Sequence, residues 1–190
     1  MSNNVTDLMV WIDTETFGLE ASDHMLEIGL RVTDSELVEI YRTTELCWSP
    51  YHEQQLKTLD RESWVYKQHT ASGLFFDAQT HGLHYAKAEE KLMLRITGVF
   101  KQFSCDLSST PLSGSTVGFD RKVISRHMPM LHRLFHYRSI DISTLKELCK
   151  LRSPELYAKQ DLHPKKLHRV QADLGDTISE AGWYFDNFLY

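Results

Sequence analysis

Two acidic residues, Asp13 and Glu15, follow a short apolar stretch that ends with Trp11 and Ile12. On a β-strand, residues two apart project from the same face, so the two carboxylates are predicted to lie side by side. Neighbouring negative charges at the edge of a buried strand are costly unless a cation lies between them. A turn aspartate beside a solvent-exposed glutamate gives the same short pattern, so the pair needs support from other residues.

Three further residues supply that support. Asp120 ends the segment Gly-Ser-Thr-Val-Gly-Phe-Asp, and His168 and Asp173 have the spacing His-x₄-Asp near the C-terminus. Taken singly, Asp120 suits a helix N-terminus and His168 suits a surface or core position. Together, four carboxylates and one histidine match the needs of two-metal phosphodiester hydrolysis. These needs are hard oxygen ligands for two Mg²⁺ or Mn²⁺ ions and a base near the attacking water.

Strands in the first half of the chain are predicted to carry the first acidic pair. The apolar run 8–12 fits a buried strand, although its periodicity alone does not exclude a helix. In residues 26–33, apolar side chains alternate with Glu27, Gly29 and Arg31, which predicts a strand with one face buried. A third strand is predicted over 37–48, and Ser49-Pro50 would stop it.

The second half of the chain mixes helices with strands. Apolar residues at three- and four-residue spacing predict a helix over 88–103, and short strands are predicted over 111–117 and 137–142. Thr144 and Glu147 have the spacing of a capping box that opens a helix, and a terminal helix is predicted over about 168–190. Strands first and then strands mixed with helices imply an α/β layer fold with a mixed sheet.

Length and composition limit the classes of protein to which this chain can belong. The 190 residues fit one domain, residues 1–190, and 42% apolar with 25% charged residues is typical of globular proteins. No apolar run approaches the roughly 20 residues of a membrane span. Three cysteines without CxxC spacing, and no signal-peptide pattern, predict a reducing compartment, the cytoplasm. The net charge of −5 argues against binding long duplex nucleic acid through its phosphates.

Five segments together resemble the oligoribonucleases, DEDDh-type 3′→5′ exonucleases with an RNase H-like fold, from about Val10 to the C-terminus. The segments are Trp-Ile-Asp-Thr-Glu-Thr-Phe-Gly-Leu at 11–19, Trp64 followed by His-Thr-Ala-Ser-Gly-Leu at 69–74, Gly-Ser-Thr-Val-Gly-Phe-Asp-Arg at 114–121, His-Tyr-Arg-Ser-Ile-Asp-Ile-Ser-Thr-Leu-Lys-Glu-Leu at 136–148 and His-Arg-Val-Gln-Ala-Asp at 168–173. The resemblance implies an α/β, RNase H-like exonuclease fold with a central mixed β-sheet flanked by helices. It also implies a 3′–5′ exoribonuclease that hydrolyses very short oligoribonucleotides, preferably dinucleotides, to nucleoside 5′-monophosphates.

The resemblance also implies roles for individual residues. His168 would be the general base, and two Mg²⁺ or Mn²⁺ ions would be held by Asp13, Glu15, Asp120 and Asp173. Leu19 would wedge between the two bases, and Trp64 would stack on one of them. Positions that hold the sugar-phosphate, including the 5′ phosphate, are His69, Thr116, Arg138 and Ser143. Tyr137 would contribute an aromatic ring across a two-fold dimer interface, so a homodimer is expected.

The sequence departs from the family pattern in three places. Thr16-Phe17 replaces the usual Met-Thr, Ser115-Thr116 replaces Asn-Ser, and Gly175-Asp176 follows the last acidic ligand. The start Asp-Thr-Glu-Thr is closer to proofreading-type exonucleases, which leaves a DEDDh exonuclease acting on short or single-stranded DNA as an alternative. A catalytically inactive nucleotide-binding module is a remote alternative, because all four carboxylates and the histidine are present.

Overall fold

A mixed five-stranded sheet lies at the centre of the chain. The computed structural model describes residues 7–20, 23–160 and 167–189, and the strands within them have the order β3-β2-β1-β4-β5. The strands are β1 (Leu8–Thr16), β2 (Met25–Asp34), β3 (Glu39–Leu46), β4 (Pro111–Gly114) and β5 (His136–Asp141). The prediction of an α/β fold with a mixed sheet is confirmed.

Helices connect and cover these strands. They are α1 (Pro50–Thr58), α2 (Trp64–Ala71), α3 (Leu74–His81), α4 (Tyr85–Gln102), α5 (Gly118–His127), α6 (Pro129–His132), α7 (Ile142–Arg152), α8 (Pro154–Tyr157) and α9 (Val170–Asn187), with a 3₁₀ turn at Leu107–Ser109. None of the helices in the described part of the chain is long and apolar enough to cross a membrane.

The strand directions decide where the acidic residues meet. β1 pairs with β2, and β2 with β3, in antiparallel fashion, whereas β1 pairs with β4, and β4 with β5, in parallel. The carboxyl ends of β1, β4 and β5 therefore lie at one edge of the sheet. Gly114 at the end of β4 passes so close to β1 that a Cβ there would lie 2.9 Å from the Ile12 carbonyl oxygen.

Strand β2 is buried on both faces, so the expectation of one buried face is wrong. Leu26, Ile28 and Leu30 are fully buried, and Glu27 on the opposite face is only 3% exposed. The reason is that α4 covers one face of the sheet while α9 crosses the other. Because both faces are covered, an acidic residue on this strand needs a buried partner.

Three predicted boundaries also differ from the structure. Helix α7 begins at Ile142 because the Asp141 side chain caps it by accepting the Ser143 N–H, so the capping box at Thr144 is wrong. Strand β4 ends at Gly114, before Val117, because the chain turns there into α5. The terminal helix ends at Asn187, and Tyr190 lies outside the described residues.

Candidate active site

The carboxyl end of β1 holds Asp13 and Glu15 on one face of the central strand. Their register partners on β2 are Gly29 and Glu27, and Thr14 between them points to the other face. The Glu15 side chain is only 12% exposed. Since both residues pair in register with β2 on the central strand of the sheet, both carboxylates start from a rigid backbone.

Helix α9 brings the second acidic segment to the same place. Asp173 lies in the first turn of α9, and His168 comes just before the N-cap Arg169. The backbone of His168 has a φ of +50°, in the left-handed region that non-glycine residues seldom adopt. Ligand atoms of Glu15, His168 and Asp173 all lie within 4.8 Å of one another. One residue of the Asp-x-Glu pair, Glu15, therefore meets both residues of the His-x₄-Asp pair.

Asp120 approaches β1 from the other face of the strand. It lies in the first turn of α5, is 4% exposed, and its Oδ1 accepts a 2.7 Å hydrogen bond from the Thr14 hydroxyl. Burial raises the pKa of this carboxyl to about 7, although the hydrogen bond from Thr14 acts in the opposite direction and lowers the pKa. Asp13 and Asp120 are therefore near the same strand end but outside the group of three residues.

The donor set fits a divalent cation. Carboxylate oxygens are the ligands that Mg²⁺ and Mn²⁺ prefer, and Glu15 and Asp173 offer them close together. A cation beside Asp120 would favour its ionised form, which burial alone disfavours. The sheet edge thus combines oxygen ligands with a buried acid whose charge needs compensation.

An exposed aromatic ring adjoins His168. The Trp64 and His168 ring centroids are 4.7 Å apart with the planes nearly perpendicular, at 86°. Trp64 opens α2, whose N-cap Ser63 accepts the Tyr66 N–H at 3.2 Å, and the indole is 57% exposed. This arrangement leaves indole surface beside the acidic group open to a planar ligand.

His69 lies beneath the end of β1 and not on the surface. It is 2% exposed, and its Nε2 donates a 2.9 Å hydrogen bond to the Thr16 carbonyl oxygen. The same nitrogen lies 3.9 Å from Glu15 Oε2. Burial lowers the pKa of His69, an effect that the bond to the Thr16 carbonyl opposes. In this position His69 braces the backbone that carries Glu15.

Leu19 stands on the loop that follows β1 and is 84% exposed. The Phe17 N–H donates to the His24 carbonyl oxygen at 3.0 Å, which closes the base of the loop. Asp23 Oδ2 accepts the Glu20 N–H, also at 3.0 Å. The loop therefore presents an apolar side chain to solvent from a hydrogen-bonded frame.

The unusual pair Thr16-Phe17 is accommodated inside the protein. The Thr16 hydroxyl donates to the Gly18 carbonyl, and Phe17 is 2% exposed. The Phe17 ring packs 5.4 Å from the ring of Phe75 and 6.4 Å from that of Trp48. Phe17 thus packs behind the site, away from the exposed surface.

A polar group around Asp141 occupies the carboxyl ends of β4 and β5. Asp141 Oδ1 accepts hydrogen bonds from the Thr116 N–H at 2.9 Å, the Ser143 N–H at 3.0 Å and the Ser143 hydroxyl at 2.6 Å. Thr116 has a φ of +56°. One carboxylate therefore joins two of the predicted substrate-binding residues, Thr116 and Ser143, across parallel strands.

Tyr137 and Arg138 are both exposed on β5. The Arg138 guanidinium lies 5.2 Å from the centroid of the Tyr137 ring, and that ring is 73% exposed. Arg121 of α5 fixes their backbone by donating to the carbonyl oxygens of His136 and Arg138, the latter at 2.8 Å, and to the Ser139 hydroxyl at 2.9 Å.

Sequence reasoning missed three residues that hold this site together, Arg121, Arg169 and Glu27. Arg121 and Arg169 lie within the motifs at 114–121 and 168–173, but the spacing of those motifs does not show which residues the two arginines bind. Glu27 carries a signal that could have been used, because it alternates with apolar residues on a strand. Had both faces of β2 been predicted to be buried, Glu27 would have needed a cationic partner.

Comparison with known proteins agrees with this geometry. The family model described as an exonuclease matches residues 10–179. An oligoribonuclease from Azoarcus sp. (strain BH72) is 33% identical over 182 residues, which are 95% of this chain and 94% of that protein. Another, from Idiomarina loihiensis, is 32% identical over 189 residues, which are 98% of this chain and 97% of that protein.

Solved structures show the same fold at lower sequence identity. E. coli exonuclease I in complex with a dA16 oligonucleotide has a TM-score of 0.66 and 18% identity, covering 96% of this chain and 42% of that one. The zinc-bound complex of the same enzyme with single-stranded DNA has a TM-score of 0.64 and 17% identity, with 96% and 41% covered. The chain thus spans about two fifths of exonuclease I. By the match over residues 10–179 and by relatives that are 32–33% identical over nearly the whole chain, this chain belongs to the exonuclease family and, within it, to the oligoribonucleases.

Proposed function

We propose that this chain is a metal-dependent 3′–5′ exoribonuclease that hydrolyses very short oligoribonucleotides, preferably dinucleotides, to nucleoside 5′-monophosphates. The observation that carries the proposal is the convergence of Glu15, His168 and Asp173, with ligand atoms within 4.8 Å, in a chain of the oligoribonuclease family. Residues 1–190 would form one exonuclease domain.

Two Mg²⁺ or Mn²⁺ ions would be held by Asp13, Glu15, Asp120 and Asp173. When bound, the ions would neutralise the phosphodiester and stabilise its attacking and leaving oxygens. The protein contributes rigidity, because Asp13 and Glu15 extend from a central strand and Asp173 from the first turn of a packed helix. Thr14 orients Asp120 by its 2.7 Å hydrogen bond.

His168 would take the proton of the attacking water. An imidazole suits this role because its pKa lies near neutral pH. Its left-handed backbone sets it just ahead of α9, close to both Glu15 and Asp173. The neighbouring Trp64 ring restricts the imidazole on one side.

Recognition of a short substrate would combine apolar surfaces with a polar group. Leu19 would separate two bases, and Trp64 would stack on one, as their exposure of 84% and 57% permits. Thr116 and Ser143, which bond to Asp141, and the exposed Arg138 of β5 would hold the sugar-phosphate and its 5′ phosphate.

His69 would contribute to this recognition by bracing the backbone at Thr16. Enclosing a terminal 5′ phosphate favours dinucleotides, because a longer strand would have to continue through the occupied position. The net charge of −5 is compatible with so short a substrate, which offers few phosphates to the protein.

The protein would act as a homodimer in the cytoplasm. Tyr137, which stands 73% exposed beside Arg138, would reach across a two-fold interface toward the partner's substrate. Sedimentation velocity at micromolar concentration tests this, and a monomer that cleaves dinucleotides at full rate would contradict it.

The alternative function is exonuclease action on short or single-stranded DNA. It is favoured by the start Asp-Thr-Glu-Thr, and the structural neighbour that binds a dA16 oligonucleotide shares the fold. Discrimination between the two sugars depends on contacts to the 2′-hydroxyl.

One experiment separates these functions. RNAs of two, three and seven residues, labelled at the 5′ end, and their DNA counterparts are incubated with Mg²⁺ or Mn²⁺ and with EDTA. Fastest cleavage of the RNA dinucleotide, stopped by EDTA, is the expected result, and faster cleavage of the longer DNA would favour the alternative. His168→Ala and Asp173→Ala should each lower turnover by orders of magnitude, and near-normal turnover in both would refute the assignment of the site.

A further inference from the structure

Arg169 joins four elements around the site through one side chain. Its Nε and Nη2 donate to the Glu27 carboxylate of β2 at 3.2 and 3.1 Å. Its Nη1 donates to Asp77 Oδ2 of α3 at 2.7 Å and to the Ser72 carbonyl oxygen at the end of α2 at 3.4 Å. As the N-cap of α9, Arg169 therefore connects that helix to β2, to α3 and to the end of α2, the helix that carries Trp64 and His69.

Glu27 completes this connection from the strand. It is 3% exposed, and its Oε2 also accepts the Val170 N–H at 3.1 Å. That bond satisfies the first amide of α9, a helix that has no side-chain cap from Arg169. The buried Glu27 carboxylate thus accepts hydrogen bonds from both the Arg169 guanidinium and the N-terminus of α9. Its negative charge there also interacts favourably with the helix dipole.

The first turn of α9 also packs closely against β2 and β3. A Cβ at Gly29 would lie 2.7 Å from Val170 Cγ2, so only glycine allows this close approach. The Gln171 side chain donates to the Thr43 carbonyl oxygen and the Thr44 hydroxyl, both at 2.9 Å. The start of α9 is therefore held at three consecutive residues.

We infer that Arg169 and Glu27 are positioning residues that hold His168 in its left-handed conformation against Trp64. The effect of this positioning on catalysis rests on the proposed function. A non-glycine residue at positive φ persists only where its surroundings determine it. The residues after His168 supply that constraint, because Arg169 and Val170 are both bonded to Glu27. Without the Arg169–Glu27 pair, the backbone of His168 would relax toward negative φ, and its imidazole would move away from Asp173 and Glu15.

The chain offers a matched control for this pair. Glu45 of β3 is 6% exposed and is bonded to Arg95 and Lys91 of α4. It is a buried glutamate with an arginine partner, like Glu27, but its partners lie on α4 instead of α9. Substitutions of Glu45 or Arg95 therefore measure how much stability and activity are lost when a buried ion pair away from α9 is broken.

The first test compares kcat and KM for an RNA dinucleotide with Mn²⁺. Arg169→Met is expected to lower kcat at least tenfold while KM changes less than threefold, and Arg169→Lys, which keeps the charge without the planar fork, should lose less. Arg95→Met should lower the melting temperature comparably and change kcat less than twofold. Equal losses of kcat in Arg169→Met and Arg95→Met would overturn the inference. If Arg169→Met does not fold, Glu27→Gln and Glu45→Gln replace the pair of variants with the same expectations.

The second test does not need activity. The short distance between the His168 and Trp64 rings predicts a nuclear Overhauser effect between their ring protons, assigned by its loss in His168→Asn. The effect should persist in Arg95→Met and disappear in Arg169→Met, and its persistence in Arg169→Met would refute the positioning role. If the unsubstituted chain cleaves neither RNA nor DNA, the proposed function fails, whereas this measurement still decides the inference.

Discussion

Replacing Asp141 by alanine tests whether one carboxylate builds the polar part of the site. Asp141 Oδ1 caps α7 through Ser143 and holds the Thr116 N–H of the β4–α5 turn. Loss of an N-cap costs about 1 kcal/mol, and loss of the bond to Thr116 costs about 1 kcal/mol more. The sum of about 2 kcal/mol corresponds to a fall in melting temperature of about 4–8 °C for a chain of this size.

Asp141→Ala should also weaken substrate binding. Thr116 holds a φ of +56°, so without the bond to Asp141 its turn is expected to relax and to move the sugar-phosphate contacts. We expect KM for the RNA dinucleotide to rise about tenfold, equivalent to about 1.4 kcal/mol of binding, while kcat changes less than threefold. Steady-state kinetics at several temperatures below the transition measure both constants.

Asp106 provides the control for this prediction. It accepts the Ser108 N–H at 3.0 Å and the Ser108 hydroxyl at 2.8 Å at the 3₁₀ turn before β4, outside the group around Asp141. Asp106→Ala should leave KM unchanged. The reasoning fails if Asp141→Ala lowers the melting temperature as calculated but raises KM no more than Asp106→Ala does.

Three further predictions concern titration and stacking. Because burial raises the pKa of Asp120 from 3.8 to about 7, the folded state holds an extra proton on this group between these values, and in EDTA the contribution of Asp120 to stability should fall as pH rises from 4 to 7. Asp120→Asn should therefore gain stability relative to the unsubstituted chain over this range in thermal unfolding, and a difference that stays constant with pH would contradict it. Burial lowers the pKa of His52 to about 4, so the unfolded state binds the extra proton below pH 6.5; His52→Asn should flatten the loss of stability on acidification to pH 4, and a profile that stays as steep would count against this origin. Trp64→Ala should raise KM about 5- to 150-fold from the loss of about 1–3 kcal/mol of stacking. Phe76→Ala, at a 70% exposed aromatic on α3, should leave KM unchanged, and equal effects of the two changes would argue against stacking.

The motif spacing predicted part of the site, because Glu15, His168 and Asp173 meet, whereas Asp13 and Asp120 lie outside that group. Asp13 and Glu15 share a face because a strand alternates its side chains, and the structure confirms that strand and its position in the centre of the sheet. His168 and Asp173 reach Glu15 as their motif implies. The sequence did not show that Asp120 approaches from the Thr14 side of β1 or that His69 lies beneath the strand end, because both placements depend on how helices pack on the sheet.

The sequence by itself determined the types of chemical groups and the local elements that carry them: the carboxylates, the histidine, the strands with their alternation and the apolar stripe of α4. These follow from side-chain chemistry and local periodicity. Only the tertiary structure decided that both faces of β2 are buried, that Glu27 receives Arg169 and Val170, and that His168 adopts a left-handed conformation. Each of these depends on contacts between segments more than a hundred residues apart, since burial and strain arise only when the helices close over the sheet.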